Sequence, residues 1–161
     1  MKTRIKITIA LAAAILVIGF FIIPGFFQSP QNIFRRLVAK PIPASVQSLE
    51  EGHFLTMDST FWALHFQMNK ADLGAILNAQ HFTLIDEVEK FKRWDVNSNS
   101  EVKIEKEEYL DWWKKQIHLS AKLDVSFGKS WQIFVLKEGH GTKYLFFDTN
   151  STEVVFVADA H

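Results

Sequence analysis

The side chains best suited to hold a ligand lie between Phe91 and Trp113. There Asp95-Val96-Asn97-Ser98-Asn99-Ser100-Glu101-Val102-Lys103-Ile104-Glu105-Lys106-Glu107-Glu108 is crowded with oxygen donors. Carboxylates, amides and hydroxyls at this density are what a hard cation such as calcium needs, roughly six to eight oxygens at a time. Other candidate chemistry fails on spacing. Gly128-Lys129-Ser130 ends like a phosphate-binding loop, yet Leu123 stands where the first glycine belongs and strand-type residues fill the interval, so it reads as a hairpin turn. Gly139-His140-Gly141 sets a histidine beside backbone amides, but no serine in a strand-turn-helix elbow accompanies it. The six histidines show no paired ligand spacing. With no cysteine in the chain, disulfides, cysteine-ligated zinc, thiol catalysis and lipidation of an N-terminal cysteine are excluded. No catalytic residue and no cofactor-binding residue is assigned, and no cofactor is expected.

The stretch 91–113 resembles an EF-hand. The resemblance implies calcium ligands from Asp95, Asn97 and Asn99 at the first, third and fifth loop positions, with the Glu101 carbonyl at the seventh. Phe91 before the loop and Tyr109 with Trp112 after it match the flanking helices. Two positions depart from the motif: Ser100 occupies the sixth, where the turn has glycine, and Lys106 the twelfth, where the bidentate carboxylate belongs. A loop two residues longer brings Ile104 to the hydrophobic position and Glu108 to the closing one, giving a calcium-responsive module over 95–108. The same residue types fill ordinary polar connections, and that plainer reading is preferred for the segment. Glu105, Glu107, Glu108 and Asp111 then form a solvated helix face, with Lys114 and Lys115 at pairing distance along it.

These residues must be positioned by elements that hang from one end of the chain. Ile7–Phe27 reads ITIALAAAILVIGFFIIPGFF without a charge, and as a helix it spans roughly 31 Å, the thickness of a bilayer's hydrocarbon. Its apolar core is too long for a cleaved signal peptide, and no pair of small residues marks a cleavage site at its far end, so a retained anchor is expected. Lys2, Arg4 and Lys6 favour a cytoplasmic N-terminus, against Arg35, Arg36 and Lys40 farther from the other edge. The expected organisation is a cytoplasmic tail over 1–6, an anchor over 7–27, a juxtamembrane helix and linker over 28–43, and one extracytoplasmic domain over 44–161. Eighteen basic residues balance 18 acidic ones; setting aside the three cations of the tail leaves a net of −3. That argues against a nucleic-acid partner.

Along the chain, Gln28-Ser29-Pro30-Gln31 is expected to break the helix, and Asn32 to cap a short one through Lys40. Its Ile33, Phe34, Leu37 and Val38 stripe either lies on lipid with Arg35 and Arg36 toward headgroups or packs on its own domain, the second being the expected outcome. Pro41-Ile42-Pro43 stiffens the entrance to the domain. Strands are predicted over Ser45–Leu49, His53–Asp58 and Thr60–Met68, the last with Trp62, Leu64, Phe66 and Met68 on its apolar face and His65 on the more polar one. Asn69 caps a helix carrying Leu73, Ile76 and Leu77. A short strand over His81–Ile85, a helix from Asp86 and a helix over Ile104–Ile117 follow. Strands over Ala121–Phe127, Trp131–Lys137, Thr142–Asp148 and Glu153–Ala158 close the chain as an antiparallel meander. The fold class is therefore α+β: a transmembrane helix, then one domain with a mainly antiparallel sheet and helices on one face. Trp112-Trp113 is expected to serve the core, one of the pair being left partly exposed as a candidate interface anchor. Asn150-Ser151-Thr152 is a glycosylation sequon, meaningful in a eukaryotic secretory pathway.

The anchor, PIPASV, the strand ending HFQM, the helix NKADLGAILN and the terminal LFFD together resemble small membrane-anchored or lipoprotein-type extracytoplasmic proteins of bacteria, over most of residues 34 to 158. The resemblance implies a plasma (inner) membrane location and a noncatalytic interaction or accessory role with an envelope protein partner. An envelope enzyme is the third alternative, since convergent polar groups at recognisable spacing are missing.

Overall fold

The computed structural model describes residues 29–55, 60–85, 91–95, 99–139 and 141–160. The expected tail and anchor over 1–27 lie outside them, and no helix among the described residues is long and apolar enough to cross a membrane.

The first helix among the described residues, α1 (Pro30–Leu37), opens on Pro30, inside the stretch expected to separate it from the apolar span. Proline at the first helical position loses nothing, because its missing N–H would have no intrahelical partner there. Ser29, not Asn32, is the cap: its side chain accepts from the Asn32 N–H. Ile33, Phe34 and Val38 turn inward and are buried, whereas Arg35 and Arg36 are exposed, so the helix packs on its own domain.

The strands β1 (Gln47–Leu55) and β2 (Thr60–Gln67) pair antiparallel, and β1 joins the two short strands expected over 45–58 into one. A register shift between Gln47 and Glu50, with Ser48 at a φ of 50°, kinks its start. Helix α2 (Lys70–Gln80) is capped as expected, Asn69 accepting the Asp72 N–H at 2.8 Å, and closes on His81 in the left-handed conformation. Then come β3 (Thr83–Ile85), the hairpin β4 (Lys92–Asp95) and β5 (Ser100–Lys103), helix α3 (Lys106–Ala121), and the meander β6 (Trp131–Glu138), β7 (Gly141–Asp148) and β8 (Glu153–Ala160). Six strands form one fully antiparallel sheet in the order β1-β2-β8-β7-β6-β3.

The expectation of helices on one face is corrected: both faces are covered. One core gathers Ile33, Phe34, Leu73 and Ile76 of α1 and α2 against Trp62, Leu64, Phe66, Leu145, Phe147 and Phe156. The other sets Tyr109, Trp113 and Ile117 of α3 against Ala63, Ile133, Phe146, Val155 and Val157. The reason is local. Successive residues of a strand point to opposite faces, so the unbroken buried runs Leu145-Phe146-Phe147 and Val154-Val155-Phe156-Val157 require apolar cover on both sides.

Two further expectations fail on pairing. Over its described part, the helix predicted from Asp86 is β4, residues 86–90 lying outside the described set. The strand predicted over Ala121–Phe127 does not form: α3 runs on through Ala121, and Lys122 closes it at a φ of 60°. Ala121, Leu123 and Val125 are nonetheless buried while Lys122, Asp124 and Ser126 are exposed. The period of two reports an extended segment lying on a core, and a ladder needs a free sheet edge as well. The third helix also starts two residues late, with Glu107 and Glu108 in its first turn, where their charge favours the N-terminal dipole.

Candidate functional site

The pairing registers set Thr83, Val135, Tyr144, Val157, Ala63 and Gly52 in one row across the α3 face. Helix α3 lays Tyr109 and Trp113 over that row, and the β4–β5 hairpin closes one side. Between them is a cavity of 410 Å³ with Ile85, Val135, Tyr109 and Tyr144 as walls and Lys92, Glu101 and Lys137 at its mouth. The two tyrosines of the chain, far apart in sequence, thus meet, and each affects the other's titration. The Trp113 ring lies 4.6 Å from that of Tyr144 and 6.3 Å edge-on from that of Tyr109, centroid to centroid. Trp113 Nε1 is buried without a hydrogen bond of normal geometry, although its polarity favours the Tyr109 phenolate and offsets part of that group's shift.

Burial pushes the Tyr109 hydroxyl far above its ordinary value near 10, and the neighbouring Tyr144 adds to the rise. Tyr144 is raised too, mainly by burial, with the neighbouring Tyr109 opposing. Both groups stay neutral across physiological pH. A general base works best with a pKa near the working pH, and at that pH these two hydroxyls are neutral groups able to donate and accept hydrogen bonds. At the mouth, Lys92 and Glu101 pair at 3.4 Å and largely cancel each other's charge.

A stability consequence follows from the sign of the tyrosine shifts. The native state holds the phenolic protons more tightly than the unfolded chain, so from about pH 10 upward the unfolded state releases protons first. Stability is therefore full below that pH and falls as pH rises above it. Melting temperatures from pH 9 to 12 should decline with a slope that is clearly reduced in Tyr109→Phe; an unchanged slope would contradict a buried Tyr109 hydroxyl.

The described residues of 95–108 sit in three elements, β4, β5 and α3, and the connections between them. Asp95 and Ser100 pair across the β4–β5 hairpin, Val96, Asn97 and Ser98 lie outside the described residues, Glu101 is tied to Lys92, and Glu108 belongs to the first turn of α3. A strand thus stands where the helix before an EF-hand loop is expected. Among the described residues no group of three or more acidic or histidine side chains is placed to hold a metal. Gly128-Lys129-Ser130 is the expected turn, with Trp131 N–H donating to the Gly128 carbonyl and the Ser130 hydroxyl to Asp148. That hydroxyl, ahead of the other contacts, holds the Asp148 carboxyl below its usual range. His140 lies outside the described residues, and Asn150 is exposed in the β7–β8 turn. Of the adjacent tryptophans, Trp113 is 3% exposed and belongs to the core, while Trp112 is half-buried beside it.

The tyrosine pocket was missed in the sequence. The available signals were the placement of Tyr109 on the apolar stripe of its helix and of Tyr144 in a strand; the register that joins them is tertiary.

The described residues form a small α+β domain with a doubly covered antiparallel sheet and a cavity walled by two neutral tyrosines, with charged side chains at its mouth. No protein-family model matches this chain, and no match is found among curated proteins or solved structures.

Proposed function

We propose that this chain is a single-pass protein of the plasma (inner) membrane whose domain, on the extracytoplasmic side, is a noncatalytic binding or accessory module for an envelope partner. The observation that carries the binding role is the character of the cavity: two tyrosines kept neutral by burial, a lysine-glutamate pair that cancels itself, and Lys137 as a further cation at the mouth. Such groups orient a partner's polar atoms but do not move protons. The membrane part is supported by the uncharged run Ile7–Phe27 and the cations Lys2, Arg4 and Lys6 before it. Helix α1 then begins at Pro30, three residues after the apolar run ends in the sequence, and its Ile33 and Phe34 are already part of the core.

The lack of cysteine makes the topology directly measurable. In intact cells, a membrane-impermeant maleimide should label Ser126→Cys, on the exposed side of its segment, and leave Thr3→Cys unlabelled until the membrane is opened. Labelling of both, or release of the chain from membranes by alkaline carbonate, would overturn the anchored reading. For the binding role, a photocrosslinker at Lys137, at the cavity mouth, should give a discrete adduct in native membranes that one at Asp124, outside that cavity, does not. Identical adduct patterns would count against the pocket.

A further inference from the structure

The opposite face of the sheet carries a second cavity, of 520 Å³, that does not depend on the reading above. Its floor is set by one row of the register: His53 on β1, Trp62 on β2, Ala158 on β8 and Lys143 on β7. Ala158 is the small residue of that row, with Trp62 on one side and Lys143 on the other, so the floor is hollow where its methyl group replaces a larger side chain. From above, α1 brings Arg36, whose guanidinium carbon lies 5.1 Å from the centre of the Trp62 ring. His53 packs on the same indole at 4.7 Å, nearly parallel. Stacking on an aromatic face fixes a guanidinium's plane and leaves its N–H edge directed sideways, the geometry that oxyanions accept.

Lys143 is the second cation. Its side chain is only 17% exposed, and it pairs at 2.8 Å with Glu138, which is itself largely in solvent. A half-buried ammonium held by an exposed carboxylate is a charge that an incoming anion can take over, with Glu138 released to water. Thr60, on the same face as Trp62, lines the cavity and adds a hydroxyl donor. Two cations from different elements, an indole and a hollow floor therefore converge; of the two carboxylates that also line the cavity, Glu138 is paired with Lys143 and Asp159 belongs to the neighbouring row of the register, which faces the other side of the sheet.

We propose that this cavity binds an oxyanion group carried on a flat ring, the oxygens between Arg36 and Lys143 and the ring over Ala158 against Trp62. Phenyl phosphate is the probe, titrated into the full chain in nonionic detergent and followed by calorimetry and tryptophan fluorescence. Binding should be saturable, tighter than that of inorganic phosphate, and weakened roughly tenfold by Arg36→Met and by Lys143→Met, which keep the apolar stems. Ala158→Leu should abolish it by filling the floor. The methionine variants are expected to melt close to the parent chain, so a loss of binding in them reads the charge and not the fold. Absence of saturable binding, or binding indifferent to both methionine variants, overturns the site; equal affinity for inorganic phosphate overturns the ring's place in it.

Discussion

Gly52→Ala is expected to destabilise the domain by about 3 kcal/mol, although it adds a single methyl group. The strand β1 passes directly under the end of α3. A Cβ at Gly52 would lie 1.9 Å from the Ala121 carbonyl oxygen, 2.6 Å from its carbon and 2.7 Å from the Ala121 Cβ. Two of these three atoms are backbone, so no rotamer change relieves the clash; the last turn of α3 must lift off the sheet. Overpacking of this kind costs on the order of 1 to 3 kcal/mol, with rigid backbone at the upper end. For a domain of this size the midpoint of thermal unfolding should fall by roughly 10 °C. Gly74 supplies the control. It lies inside α2 with nothing within 4 Å of the added carbon, so Gly74→Ala should stabilise by up to about 1 kcal/mol through helix propensity alone. Circular dichroism melts of the two variants should move in opposite directions, and a Gly52→Ala midpoint equal to the parent's would mean that β1 and α3 do not approach this closely.

Phe34→Ala should be comparably severe, at about 3 to 5 kcal/mol, which is a large share of the stability of an ordinary domain. Phe34 is fully buried and meets Phe66 edge-on at 5.1 Å. Ile33 and Val38 beside it are buried as well, so α1 is a structural part of the domain and not a stalk. A chain cut to begin at Ala44 would strip Trp62, Leu64 and Phe66 of that cover. It should lose cooperative unfolding, whereas a chain beginning at Ser29 should keep it. If the shorter fragment melted as sharply as the longer one, α1 would be a peripheral addition. The point bears on function, because Arg36, one of the two cations of the proposed oxyanion site, is carried by this helix.

Most elements could be read from residue types acting over short range. Asn69 caps α2 because its side chain reaches an N–H three residues on, and the Tyr109, Trp113 and Ile117 stripe marks α3 because 3.6 residues per turn put them on one side. The meander over β6, β7 and β8 follows from short turns between apolar runs. The start of α1 differs from the sequence expectation, with Ser29 and not Asn32 as its cap, because Ser29 and Pro30 fit a break after the apolar run as well as the cap and first position of a helix.

Local patterns lose their meaning where several contexts satisfy them. Alternation over 121–127 fits an extended segment resting on a core as well as a strand. Lys92–Asp95 forms a strand because Ser100–Lys103 is there to pair with it, and a hairpin then stands beside the polar loop where a helix was expected. Residue type and local spacing were enough for the α+β class, the antiparallel meander and the candidate core, since those depend on hydrophobic period and turn chemistry. The double cover of the sheet, the meeting of Tyr109 with Tyr144 and the convergence of Arg36 with Lys143 on Trp62 and Ala158 came from register and helix placement. Those are set by contacts between residues remote in the chain, and no window along it contains both partners.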